Sequence, residues 1–198
     1  MNADTDRRQR ILDAAVRVFA RKGYTDARIR EVADEADVAY GLVYHHYGTK
    51  DALLRHVLEV HWRAFGEAVE GIVASERPPR EQLRCIVDYV FGALGAMPEV
   101  VTVLVREYGR TARLDEALAH PEVLRTLQAI RGIFARAQSA GQLRAGHDAF
   151  SLTVLFTGSL DAVVTTLAVP MSRDPARERA TQRLRGGLIA LFNDVFNP

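Results

Sequence analysis

Tyr40, Gly41, Leu42, Tyr44, His45 and His46 fall within seven consecutive residues. With Val43 and Tyr47 turned to a core at i, i+4 spacing, the opposite side carries Gly41, Leu42 and His45. Tyr44 and His46 flank that side, and Tyr40 stands at its start. Phenols and imidazoles exchange hydrogen bonds with phosphates and base edges. Leucine packs on a thymine methyl, and glycine lets a backbone approach a duplex closely. The segment therefore suits reading a DNA groove. The plain alternative for the two histidines is ordinary surface. Lys50 follows at the expected start of the next helix, where free backbone N–H groups favour a phosphate. Metal binding by His45 and His46 is poor, because adjacent helical residues point about 100° apart.

These residues need elements to hold them. Ile11, Leu12, Ala15, Val18 and Phe19 share one face of a helix expected from about Thr5 to Lys22, with Gly23 as a left-handed stop. Ile29, Val32, Ala33 and Ala36 give the stripe of a short helix from about Arg28 to Ala36. Asp37 then suits a left-handed turn. A third helix runs from about Tyr40 to Tyr47, and Thr49 can cap a fourth from Lys50. Two short helices joined by a tight turn and braced by a longer one are the signature of a helix-turn-helix. Charge supports it locally. Residues 1–25 hold Arg7, Arg8, Arg10, Arg17, Arg21 and Lys22 against Asp4, Asp6 and Asp13, a surplus of three. Cations on such a helix suit phosphate contacts, or simply a solvated face.

The remainder reads as helices at about 50–75, 80–97, 98–108, 121–140, 148–169 and 176–196, with Asp174-Pro175 starting the last. The expected class is all-α with about nine helices: a head at residues 1–49 and a helical body at 50–198. The whole chain, 198 residues at net charge +1 and 48% hydrophobic, is an average globular composition and carries no global basic field. One cysteine excludes an internal disulfide, and Cys85 on an apolar helix reads as buried and inert. No apolar run is expected to cross a membrane, and the polar start does not read as a signal peptide, so a cytoplasmic protein is expected. No phosphate loop, nucleophile elbow or metal motif is visible, so neither an enzyme nor a cofactor is expected.

The stretch RILDAAVRVFARKGYTDARIREVADEADVAYGLVYHHYGTKDALL resembles the DNA-binding domain of the TetR family of bacterial transcriptional repressors. The resemblance implies recognition-helix contacts at Tyr40, Gly41, Leu42, Tyr44, His45 and His46, with phosphate contacts at Lys50 and Arg28. Three positions depart from the family pattern. Ala27 and Ala39 lack the usual capping hydroxyls, and Asp37 stands where glycine is usual. The resemblance further implies a homodimer through the last two helices, with Leu152, Leu155, Phe156, Leu160, Val163, Val164 and Leu167 supplying apolar area. It implies a central effector pocket, for which the candidates are Phe65, Val69, Tyr89, Val103, Leu104, Ile133, Phe134, Phe156 and Leu160. Arg106 and Tyr108, with Arg110 and Arg113, are candidates for an anionic head group, or for a solvated loop. The C-terminal region is similar to the fatty-acyl-CoA-responsive branch of the family.

The expected function is a ligand-responsive regulator, a repressor by family habit, binding a palindromic double-stranded DNA operator and released by an acyl-type or other apolar effector. Two alternatives stay open. One is an all-helical binding protein or enzyme that keeps a helix-turn-helix shape. The other is a DNA-binding module controlled by a protein partner.

Overall fold

A computed structural model describes residues 3–111, 121–168 and 175–196. Among these it contains nine α-helices and no β-strand: α1 (Ala3–Lys22), α2 (Ile29–Glu35), α3 (Tyr40–Tyr47), α4 (Lys50–Val73), α5 (Pro79–Ala96), α6 (Pro98–Thr111), α7 (Pro121–Ser139), α8 (Ala149–Ala168) and α9 (Pro175–Asn193). The chain is all-α, and the helices begin and end close to the positions read from periodicity. The side chains of Tyr108 and Arg110, together with Arg113 and Asp174, lie outside the described residues.

The helices form two units: Met1–Arg63 with Glu99–Ala112, and Ala64–Pro98 with Arg113–Pro198. The division expected at residue 49 instead falls inside α4. A continuous helix with no break at that point gives neither unit a reason to end at its first residue.

In the first unit the apolar stripes read from the sequence are the core. Ile11, Leu12, Ala15, Val18 and Phe19 of α1 close on Ile29, Val32 and Ala33 of α2, Val43 of α3 and Leu53, Leu54 and Val57 of α4. Val103 of α6 belongs to the same cluster. Gly23 leaves α1 at φ 78° and Gly48 leaves α3 at φ 71°. Both lie in the left-handed region, where glycine carries no Cβ penalty. Asp37, at φ 52°, makes the turn between α2 and α3 as a non-glycine residue. The Thr49 hydroxyl accepts from the Ala52 N–H at 3.0 Å and caps α4.

Neither short helix has a side-chain cap at its N-cap residue, Arg28 for α2 and Ala39 for α3. Helix α2 finds a partial substitute: Glu31 accepts from the Arg28 N–H at 3.0 Å. Helix α3 shows none. Ala39→Ser should therefore stabilise the protein by about 1 kcal/mol, read as a raised urea midpoint at unchanged slope. An unchanged midpoint would mean that water already satisfies those N–H groups.

In the second unit, α5, α7, α8 and α9 enclose a core built on Phe134, Phe156 and Phe192. Phe156 meets Phe192 edge-on at 4.9 Å between ring centroids and Phe134 at 6.0 Å. Buried Gln82 spends its amide on the end of α4, donating to the carbonyls of Val73 (3.1 Å) and Ser75 (3.0 Å). Its oxygen accepts from Arg136 at 2.9 Å. Those carbonyls have no partner within their own helix, so the glutamine satisfies them without water. Cys85 is half-buried, not buried.

Helix α8 corrects one expectation. By length and composition it is apolar enough to cross a membrane. Its threonines and Asp161 break up any apolar run, which hides this from a search for continuous stretches. In the fold, Leu152, Phe156, Leu160 and Leu167 of α8 are buried in the second unit's core.

Candidate nucleic-acid interface

Helix α3 is eight residues long, and one buried side chain, Val43, anchors it. Tyr40 is 46% exposed and Tyr44 42%, with rings edge-on at 5.0 Å. The hydrogen bond that the Tyr44 hydroxyl donates to Tyr40 holds the Tyr44 phenol above its ordinary pKa. The Arg30 guanidinium lies over the Tyr40 ring, 5.9 Å from its centroid. His45 is exposed, and a Cβ added at Gly41 would meet nothing within 4 Å. Tyr40, Gly41, Tyr44 and His45 thus form an open face rich in hydrogen-bonding groups. Arg28 is also exposed, beside the start of α2.

Three predicted contacts are placed elsewhere. Leu42 is half-buried and packs on the domain core, because neighbouring helical residues point only about 100° apart and buried Val43 brings it to the edge of the inner face. His46 turns towards α1: its side chain is 3% exposed, and Nε2 lies 3.5 Å from Asp4 Oδ1. Lys50 does not project into solvent. Its ammonium donates to the carbonyls of Tyr24 (2.8 Å), Ala27 (2.9 Å) and Thr25 (3.3 Å). It also sits over the Tyr24 ring, 4.4 Å from the centroid. An ammonium has three N–H donors, so three carbonyls saturate it. Lys50 fastens the α1–α2 connection to α4.

Part of the basic surplus of α1 is likewise spent internally, while Arg7 and Arg10 are exposed. Glu35 of α2 accepts from Arg17 at 2.9 Å and from Arg21 at 3.1 Å. Lys22 pairs with Glu31, and Arg8 with Asp4 at 3.4 Å. Hydrogen bonds from Arg17 and then Arg21 hold Glu35 below its ordinary value, and Lys22 and the Arg28 N–H do the same for Glu31. A carboxylate whose pKa is lower folded than unfolded stabilises the fold above its unfolded value. That contribution disappears as pH falls through the lowered folded value. Acid unfolding of Glu31→Gln/Glu35→Gln should therefore show a flatter loss of stability below the ordinary glutamate range near 4.5 than the parent. Parallel curves would remove these pairs from the acid response.

The pocket candidates do not surround one space. Val69, Ile133, Phe134, Phe156 and Leu160 are core residues of the second unit. Phe65 packs against them and meets the Tyr89 ring at 5.9 Å. A cleft beside Phe156 holds about 10 Å³, room for one water at most. Val103 and Leu104 lie on α6 in the first unit, where Val103 is core and Leu104 half-buried. Arg106, in that unit too, donates to the Ala20 carbonyl at 2.8 Å. That bond ties α6 to α1.

The dimer candidates also divide. Leu155 is 62% exposed, Val163 and Val164 are half-buried, and the other four are core. Phe150 (62%) and Val154 (53%) of α8 and Leu184 (36%) and Leu191 (57%) of α9 are exposed as well. Gly158, Gly186 and Gly187 have open space where a Cβ would stand. The signal was available in the sequence, since Phe150, Val154 and Leu155 lie off the stripe of Leu152, Phe156 and Leu160 and give α8 a second apolar face to cover.

Comparisons with known proteins place these observations. The family model for bacterial regulatory proteins of the tetR family matches residues 11–57. The chain is 32% identical over 100 residues to the transcriptional repressor NicS of Pseudomonas putida, covering 50% of this chain and 47% of that protein. It is 26% identical over 157 residues to the fatty acid metabolism regulator protein of Bacillus subtilis, covering 79% and 80%. The chain thus spans about half the length of the first relative and four-fifths of the second. Among solved structures it is similar to the regulator FadR of Bacillus subtilis in complex with stearoyl-CoA, with a TM-score of 0.76, 23% identity, and 91% and 97% coverage. At that identity the likeness speaks for the fold.

Proposed function

Because residues 11–57 match the family model for bacterial regulatory proteins of the tetR family, we propose that the chain is a ligand-responsive transcriptional repressor of that family that binds a palindromic operator as a homodimer. The observation that carries this reading is the open face of Tyr40, Gly41, Tyr44 and His45 on a helix whose inner side is locked by Val43. Such a face reads base edges, while Arg28 and Arg30 beside it serve the backbone. Two copies related by a two-fold axis would present two such helices to successive major grooves, roughly 34 Å apart. The exposed faces of α8 and α9 would pair to form that dimer. The protein would be cytoplasmic and carry no catalytic activity.

The effector would be an apolar or acyl-type molecule, as the stearoyl-CoA complex of the similar FadR structure suggests. Its place is the second unit, around Phe65, Val69 and Tyr89. These lie on α4 and α5, and α4 contributes residues to both units. The effector must bind a form with more space than the one described, and its preference for that form is what moves the equilibrium. The roughly 10 Å³ cleft beside the phenylalanine cluster favours a second reading, in which a protein partner controls the DNA-binding unit. Ligand pockets usually offer about 300–1,000 Å³.

A gel shift with DNA flanking the gene tests the regulator. Mass spectrometry of small molecules co-purifying with the native protein separates the two modes of control. An acyl compound released in stoichiometric amount supports the effector, and a specific gel shift with no such compound supports the partner.

A further inference from the structure

The first unit contains a cleft of about 470 Å³ between α1, the end of α3 and α4. It is far larger than the space beside Phe156, and no role in operator reading uses it. Its walls are cationic and apolar together. Arg8 and Arg55 line it with His46 and His56, and Leu12 and Val60 close the floor. Glu59 is the acid among the lining residues, and it stands 3.7 Å from His56 Nδ1.

His46 is the informative residue. Its side chain is 3% exposed, and neither ring nitrogen has a hydrogen-bond partner. Leaving such a group unsatisfied is costly, so a buried imidazole without partners marks a place where a partner belongs. Asp4 shows what kind. Its Oδ1 comes to 3.5 Å from His46 Nε2, short of a proper hydrogen bond, and its Oδ2 to 3.4 Å from Arg8 Nε. Asp4 sits on the first turn of α1 with a side chain 51% exposed, so it can swing out. A carboxylate is thus already seated loosely between Arg8 and His46, on the protein's own chain.

We propose that this cleft is a binding site for a small organic carboxylate, whose anionic end takes the place of Asp4 between Arg8 and His46 while its apolar part lies against Leu12 and Val60. Arg55 adds the outer charge. A bound molecule would join α1, the last turn of α3 and α4, and so fix the helix that carries Tyr40 and Tyr44. The site itself does not depend on operator binding, and it is tested without DNA.

The test uses the full chain and sodium benzoate, followed by NMR of the histidine ring Cε1–H signals. Benzoate should shift the His46 and His56 signals saturably. Asp4→Ala, which removes the competing carboxylate, should tighten binding about tenfold, and Arg55→Ala should weaken it about fivefold, in the range of one charge-assisted contact. His46→Phe should abolish it. Arg55 is exposed, so its variant remains informative if the His46 change perturbs folding. No shift of these signals, or equal affinity in the parent, Asp4→Ala and Arg55→Ala, overturns the proposal. So does a short DNA duplex that shifts His46 and His56 where benzoate does not, since the cleft would then seat a backbone phosphate.

Discussion

Replacing Tyr44 and His45 together with alanine should weaken operator binding by about 30-fold to 10⁴-fold, because each base-edge contact is worth about 1–3 kcal/mol of discrimination. The residues are chosen by geometry. Leu42 and His46 share the segment but pack inward, and Gly41 has no side chain to lose. Tyr44 and His45 are exposed and touch the core little, so the variant should unfold at the denaturant midpoint of the parent. Two further readings make the test specific. Affinity for unrelated DNA should barely change, since that is carried by phosphate contacts. The slope of log K against log salt should also hold, whereas removing a phosphate contact such as Arg28 should lower it by about one. Operator affinity equal to the parent's would sink the assignment of α3 as the reading helix. A parallel drop in specific and unrelated DNA binding would instead make Tyr44 and His45 backbone contacts.

Tyr40, Gly41, Tyr44 and His45 were legible as facing out because α3 buries one residue, Val43, whereas Leu42 and His46, at the edges of its inner side, were not. The apolar stripes of α1 and α2 were legible as well, being periodic and interrupted only by charge. What stayed hidden was partnership across the fold. Lys50 reads as a free cation at a helix start. Only the return of the Tyr24–Ala27 connection against α4 supplies the three carbonyls that saturate it. The C-terminal cations of α1, Arg17, Arg21 and Lys22, read as part of a phosphate-binding strip until α2 brings Glu31 and Glu35 against them. Spacing along one helix says nothing of the charges on the next. The pocket candidates fail to converge for a related reason. Apolar residues such as Phe134 and Ile133 satisfy the criterion for a core and for a ligand wall equally, and the fold uses them as core. Val103 and Arg106 look continuous with that set in sequence, yet α6 belongs to the other unit.

Leu155→Glu combined with Leu191→Glu should convert the proposed dimer to a monomer and cost operator affinity about 10²-fold to 10⁴-fold. The side chains are 62% and 57% exposed in a single chain, so charging them removes nothing from the monomer's own core. A face that also presents Phe150 and Val154 would bury these leucines against a second copy. There two unpaired carboxylates per subunit meet their symmetry mates across a two-fold axis, and like charges held in apolar surroundings are strongly unfavourable. The loss of DNA affinity follows from avidity. Two half-sites joined in one molecule bind with an effective concentration in the millimolar range, and a monomer forfeits the second half-site entirely. Sedimentation at a concentration where the parent is dimeric measures the first effect. Binding to a full operator and to a single half-site measures the second. The variant and the parent should bind one half-site equally well, and only the parent should gain from the second. A variant that stays dimeric would place the interface away from α8 and α9. A monomer that keeps full operator affinity would break the link between dimerisation and reading, since one eight-residue helix would then suffice for an operator.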